Sequence, residues 1–217
     1  MWKVVNKKMT LKNDLKKALT ELRKEKERKF DQTVDLIMNL QKIDLKKTTV
    51  NIVVNVPHKI KDKKIAGFLE TKNKSVDTIT PVEFKKYKDK KALKNLVKKY
   101  DFFIAQANLM PKVASTFGRA LGPAGKMPSP QLGIMMNPDN KTIEDITKKV
   151  NNSIKIKVKE ASIKVPVGKQ SMKDEDLIAN IMAIYNASVK ALPRDKENIK
   201  NIGIKFTMTK PQKIQLR

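Results

Sequence analysis

Ser153-Ile154-Lys155-Ile156-Lys157-Val158-Lys159-Glu160-Ala161-Ser162-Ile163-Lys164-Val165-Pro166-Val167-Gly168-Lys169 is the stretch on which the fold turns. Its apolar residues alternate with polar ones: Ile154, Ile156 and Val158, then Ile163, Val165 and Val167. A period of two puts them on one face of a strand and the intervening lysines on the other. The spacing predicts a strand pair joined through Lys159-Glu160. The same half-wet texture occurs near the start of the chain. Phe30, Val34, Leu36, Met38 and Leu40 point one way there, and Asp31, Thr33, Asp35 and Asn39 the other. Val50, Ile52, Val54 and Val56 repeat it until Pro57 stops the ladder. Ile202, Ile204, Phe206 and Met208 form the last such strand.

Two amphipathic helices belong with these strands. Leu11, Leu15, Ala18, Leu19 and Leu22 share one helical face, with Thr10 as the expected N-cap and an end near Glu27. A longer helix opens at Ser171 and carries Leu177, Ile178, Ile181, Ile184, Tyr185, Val189 and Leu192 on one side. The middle of the chain reads differently. Ile65–Leu69 and Val76–Thr80 are short apolar runs, and Phe102-Phe103-Ile104-Ala105 is apolar throughout, as in a parallel strand covered on both faces. Thr80-Pro81-Val82-Glu83 offers an N-cap, a first-turn proline and a capping-box Glu. Further helices are expected from about Met110 to Leu121 and from about Lys141 to Val150. The economical architecture is an α+β domain made from both ends of the chain, residues 1–60 plus 153–217, with an α/β domain, residues 61–152, inserted into it.

The 217 residues carry 48 Lys and Arg against 22 Asp and Glu, a net charge of +26. A solvated lysine coat explains any single lysine, but an excess of this size selects polyanions. The charge is also directional: the first thirty residues hold eleven Lys or Arg against four acids, and no acid follows Glu197. The terminal-segment domain is therefore the expected polyanion face. With no Cys and one His, His58, disulfides and Cys- or His-built metal sites are excluded, and no metal or cofactor is expected. No uncharged run approaches the roughly 18 residues of a membrane span, and Met1–Lys8 lacks the apolar core of a signal peptide. Aromatic residues make up only 5%, too few for a single-strand stacking platform, which favours structured RNA read by shape and phosphates. Asp31 and Asp35 are the nearest approach to a catalytic pair, and solubilising a wet strand face is the simpler role for both. His58, beside Pro57, reads as a turn or surface residue.

The densest motif is Phe117-Gly118-Arg119-Ala120-Leu121-Gly122-Pro123-Ala124-Gly125-Lys126-Met127-Pro128-Ser129-Pro130. It fails as a P-loop, because Ala120 replaces the first glycine and Met127 the Ser/Thr that would hold magnesium. Gly122-Pro123-Ala124-Gly125 matches the GXXG of KH domains, though with a proline inside the loop. A rigid structured turn is the plainer reading.

Four segments resemble the large-subunit ribosomal protein L-one family: Lys29-Phe30-Asp31-Gln32-Thr33-Val34, Leu121–Pro128, Val165-Pro166-Val167-Gly168-Lys169 and Thr207-Met208. Asp101–Ala107 and the short N-terminus look archaeal. The resemblance implies a split β-α-β, sandwich-like domain that grips stalk rRNA, with a Rossmann-like three-layer insert in a secondary role. It implies RNA contacts at Lys29, Phe30, Thr33, Lys164, Gly168, Lys169, Ser171, Thr207 and Met208. Gly168 would permit close backbone approach, Lys169 would meet a phosphate, and Thr33 and Thr207 would hydrogen-bond to RNA. Gly122, Pro123, Gly125, Lys126, Met127 and Pro128 would form a structural signature loop. The implied protein is a cytoplasmic, ribosome-associated non-enzyme, a monomer within the ribosome. Its implied partners are large-subunit rRNA, exit-site tRNA and its own messenger RNA, with no membrane. Family members usually carry Gly where Thr209 stands, so an altered turn is expected there. Two other functions stay open on the residues alone: a nucleotide-dependent enzyme using the Gly-rich loop, and a free-standing KH-like regulator of messenger RNA.

Overall fold

The computed structural model describes residues 2–25, 28–44, 50–73, 75–87, 89–130, 132–137, 139–158 and 160–214, with 2–10 as backbone only. In chain order the elements are α1 (Trp2–Arg23), β1 (Thr33–Leu40), β2 (Asn51–Asn55), β3 (Ile65–Phe68), β4 (Asp77–Ile79), α2 (Lys90–Lys99), β5 (Phe102–Gln106), α3 (Met110–Leu121), β6 (Ile134–Met135), α4 (Asn140–Asn151), β7 (Ser153–Lys157), β8 (Ser162–Lys169), α5 (Asp174–Ala191), β9 (Ile199–Phe206) and β10 (Gln212–Ile214). Backbone contacts divide this mixed α/β chain into two compact units: Met1–Lys61 with Asn152–Arg217, and Asp62–Asn151.

In the discontinuous unit an antiparallel sheet runs β10-β9-β1-β8, and β2 pairs with β7 in a separate ribbon. The period of two in β1 buries Val34, Leu36, Met38 and Leu40 and leaves Thr33, Asp35, Ile37 and Asn39 half-buried on the other face. The buried set joins Ile204 and Phe206 of β9, Leu15, Leu19 and Leu22 of α1, and Leu177, Ile181 and Ile184 of α5 in one core. Val54 of β2 and Ile156 of β7 close the same core.

Several expectations need correction. β7 and β8 do not pair with each other. β7 joins β2 (Ile156 opposite Ile52) and β8 joins β1 (Val165 opposite Leu36), and an isolated bridge, Glu160 to Ser162, lies at the turn into β8. Alternation fixes which face a strand buries but not its partner. Lys159 lies outside the described residues. α1 begins at Trp2, so Thr10 is inside it rather than at its N-cap; Trp2 to Met9 contains no Gly or Pro to stop a helix. It ends at Arg23, where Lys24 and Glu25 turn back on the carbonyls of Glu21 and Leu22, and Glu27 lies outside the described residues. Phe30 precedes β1 and Met208 follows β9, and both are exposed. α5 opens at Asp174 rather than Ser171, and its first turn carries Asp174, Glu175 and Asp176, which suit the positive helix end. Strand β10 was not anticipated.

The edge position of β8 explains how it accommodates Pro166. Leu40 N–H donates to Ala161 C=O, so from Ala161 to Pro166 the odd-numbered residues turn their backbone groups to β1 and the even-numbered ones turn them outward, before the register shifts at Val34/Asp35. Pro166 therefore removes no ladder bond.

In the continuous unit a parallel sheet runs β4-β3-β5-β6. Ala66, Phe68, Phe103 and Ala105 face α2 and α3 through Leu96, Val113, Phe117 and Leu121. Ile65 and Ile104 face α4 through Ile143 and Val150. Phe68 stacks on Phe103 with ring centroids 5.6 Å apart and meets Phe117 at 4.9 Å. The segment from Pro81 to Tyr87 is a 3-10 helix rather than an α-helix, although Glu83 does accept the Thr80 N–H at 3.2 Å, as a capping box requires.

The signature loop terminates α3. Lys126 N–H donates to Leu121 C=O and Gly125 N–H to Gly122 C=O, with Gly125 left-handed at φ 69°, the paired 6→1 and 5→2 bonds of a Schellman cap. Lys126 Nζ donates to the carbonyls of Val97 (2.7 Å) and Tyr100 (2.8 Å), closing the C-terminal end of α2. Those amides and that ammonium are spent inside the protein, so the loop is not a phosphate cradle. Lys126→Met keeps the aliphatic stem and deletes a charged double cap. It should lower the unfolding free energy by about 1–3 kcal/mol in a denaturant titration; an unchanged midpoint would show that water replaces the cap at no cost.

Candidate nucleic-acid interface

Three segments meet at one end of the antiparallel sheet: the approach to β1 (residues 28–33), the loop from β8 to α5 (169–173), and the turn from β9 to β10 (207–210). Register brings them together, because Thr33 lies opposite Lys169, and Val34 opposite Phe206. Hydrogen bonds then fix their spacing. Ser171 gives both its N–H (3.1 Å) and its hydroxyl (2.8 Å) to the Asp31 carboxylate, and Lys169 Nζ stands 3.7 Å from it. Desolvation alone would raise the Asp31 pKa, but the Ser171 bonds and the Lys169 charge outweigh it and hold the carboxyl below its ordinary value. Thr33 N–H donates to Thr207 Oγ1 at 3.1 Å, and the Thr207 hydroxyl returns to Thr33 C=O at 3.3 Å.

The Thr207 hydroxyl proton is thus committed to the strand junction, and what it can offer an RNA is a remaining acceptor lone pair. Thr209 stands in the turn after β9. It is not left-handed, and its Oγ1 accepts Phe206 N–H at 2.9 Å while its own N–H returns to Phe206 C=O. The hydroxyl closes the turn by side-chain bonding, so no glycine is needed there.

Lys29, Phe30, Lys169, Ser171, Thr207 and Met208 are exposed around this rim, with Thr33 half-buried beneath them. Phe30 at 52% and Met208 at 58% exposure are large apolar side chains standing among cations. Among the described residues of these three segments, Phe30 is the one aromatic side chain. Two predicted residues behave differently. Lys164 sits five residues back along β8, about 16 Å from Lys169 at strand rise, and its Nζ is 3.9 Å from Glu160. Gly168 is buried, and a Cβ there would lie 2.4 Å from Leu177 Cδ2 and 2.8 Å from Met172 Sδ. Packing inside the protein therefore gives one reason for a glycine here, since any side chain would have to displace Leu177 and Met172. Asp31 and Asp35 are not a pair: Asp35 lies opposite Lys205, and burial raises its pKa while that lysine lowers it. His58 packs its backbone on the Asn180 amide, with Nε2 3.4 Å from Asp176.

Two residues that organise the rim escaped notice in the sequence. Arg23, at the end of α1, spends its guanidinium on Asp174 (2.9 Å), Gln170 C=O (3.0 Å) and Met172 C=O (2.8 Å), clamping the loop that carries Lys169 and Ser171. Gln32, fully buried, bonds Gln170 on one side and Met208 N–H on the other. Helical or strand spacing carries no signal for either, because their partners lie far along the chain.

The model of the ribosomal protein L1p/L10e family matches residues 22–210, a span that takes in both units and every segment of the rim. The chain belongs to this family. It is 34% identical to the large ribosomal subunit protein uL1 of Nanoarchaeum equitans over 196 residues, covering 86% of this chain and 92% of that protein. Identity to the uL1 of Pyrococcus horikoshii is 36% over 194 residues, 84% and 86% of the two chains. The uL1 of Pyrobaculum islandicum aligns at 34% over 219 residues, 96% and 94% of the two chains. As a member of the L1p/L10e family the chain is not an enzyme. The internal reason for Gly168 is directly testable in this family member. Gly168→Ala forces a methyl into Leu177 and Met172, and overpacking of that kind costs about 1–3 kcal/mol. A thermal melt should register the loss; an unchanged melting temperature would mean that α5 shifts freely to make room.

Proposed function

We propose that this protein is a structural constituent of the large ribosomal subunit that grips stalk rRNA through its discontinuous unit. The carrying observation is the rim: a lysine-bearing surface with two exposed apolar side chains, held rigid by Asp31, Gln32 and Thr207. Lys169 supplies a phosphate contact, and Phe30 and Met208 supply apolar contact to sugar or base edges, which charge alone cannot mimic. Membership of a family whose relatives are large-subunit proteins supports the same reading, with a cytoplasmic, ribosome-associated location. The continuous unit has a secondary role, its signature loop serving as helix cap. The finer family roles, supporting release of exit-site tRNA as the stalk moves and repressing translation of its own messenger RNA, are part of the proposal.

Two measurements test it. Sedimented from native lysate, the protein should track with large subunits through a moderate-salt wash; recovery only in the ribosome-free supernatant would remove the proposal. In titrations of a folded stalk rRNA fragment across salt concentrations, Lys169→Ala should weaken binding and reduce the log–log salt slope by about one unit. Lys12→Ala, at an exposed lysine on α1, should change little. Equal small effects would deny a defined RNA face around Lys169.

A further inference from the structure

Gln32 is 2% exposed and lies just before β1, between the two loops that form the rim. A buried primary amide is costly unless its donor and acceptor are both used. Its Oε1 accepts the Met208 N–H at 3.1 Å. That bond fixes the orientation of the amide, because a backbone N–H can only donate. Nε2 is thereby turned to Gln170 and donates to its Oε1 at 3.2 Å. The Gln32 carbonyl also takes the Gln170 N–H at 2.8 Å. One residue thus ties the loop carrying Lys169 and Ser171 to the turn carrying Thr207 and Met208. An apolar side chain of the same length would fill the space equally well, so packing does not account for the amide.

We propose that Gln32 is a positioning residue for RNA: it does not reach the ligand, but holds the two loops at one spacing so that they bind as a single surface. The inference rests on the rRNA reading above. Loops ordered before the ligand arrives avoid an ordering cost on binding. A residue that acts only through others loses its effect once those others are removed.

The test uses the full chain and a folded stalk rRNA fragment, titrated at several salt concentrations well below the melting temperature. The native chain must bind first; absence of binding overturns the rRNA reading and this inference with it. Gln32→Met should weaken binding about tenfold with the salt slope unchanged, because no charge is removed. In a Lys169→Ala, Met208→Ala background the same substitution should cost less than about threefold. A folded Gln32→Met variant that binds as tightly as the native chain, or an equal loss in both backgrounds, would overturn the inference and leave the rRNA reading standing. Should Gln32→Met fail to fold, Gln170→Ala, at a half-buried loop position, removes the side-chain tie and is put through the same comparison. Its effect should likewise shrink in the doubly substituted background, and an undiminished effect there would count against Gln32.

Discussion

Strand β1 is the constraint on which the discontinuous unit depends. It comes from the first part of the chain, yet both its neighbours, β8 and β9, come from the part beyond the continuous unit. Every ladder bond β1 makes therefore closes a long loop, at an entropic cost offset by burial of the core in which Val34, Leu36, Met38 and Leu40 take part. The arrangement also explains where the rim lies. A central strand held from both sides delivers its entry segment, residues 28–33, between the end of one neighbour and the start of the turn after the other. Charged and polar side chains then fix the remaining degrees of freedom.

The acids of that region have an informative use. On a chain of net charge +26 a carboxylate near a polyanion face is a local liability. Asp31 and Asp174 are nevertheless retained, and both are engaged within the protein: Asp31 by Ser171 and Lys169, Asp174 by Arg23. Arg23 at a helix C-terminus and Asp174 in a helix first turn each sit where the backbone dipole favours their sign. The pair couples two helices and a loop through one fork of donors, which a lysine could not reproduce with the same geometry. What this end of the unit presents outward is its lysines and two apolar side chains, while much of its negative charge is turned to internal bonding.

Local patterns carried the mixed α/β class, the buried face of β1, the parallel strand Phe102–Gln106 and helix Met110–Leu121, because each is written in the spacing of neighbouring residues. Pairing was not legible to the same degree. Ile154–Val158 and Ile163–Val167 look like one hairpin, but each strand finds its partner in a distant segment with a matching apolar face. At the rim, composition and the L-one resemblance named the exposed residues. The hydrogen bonds that hold them were hidden, since the amide of Gln32, the guanidinium of Arg23 and the hydroxyl of Thr209 act through partners that no periodicity predicts. Gly168, named by the resemblance for a close backbone approach, also has neighbours inside the protein that spacing does not show, because Leu177 and Met172 fill the space a side chain would take.

The split of one core across both ends of the chain has a consequence for synthesis. A ribosome making this protein finishes β1 long before β8 and β9 exist, and at about 5–20 residues per second the delay is roughly eight to thirty seconds. The continuous unit, Asp62–Asn151, is completed inside that interval and can close its parallel sheet at once. Through the same interval β1 has two open edges and an apolar face, the combination most prone to pair with a neighbouring nascent chain. The element already at hand to shield it is α1, whose Leu15, Leu19 and Leu22 join the same core in the finished fold. α1 therefore leaves the tunnel ahead of the strand whose apolar face it covers in the finished fold.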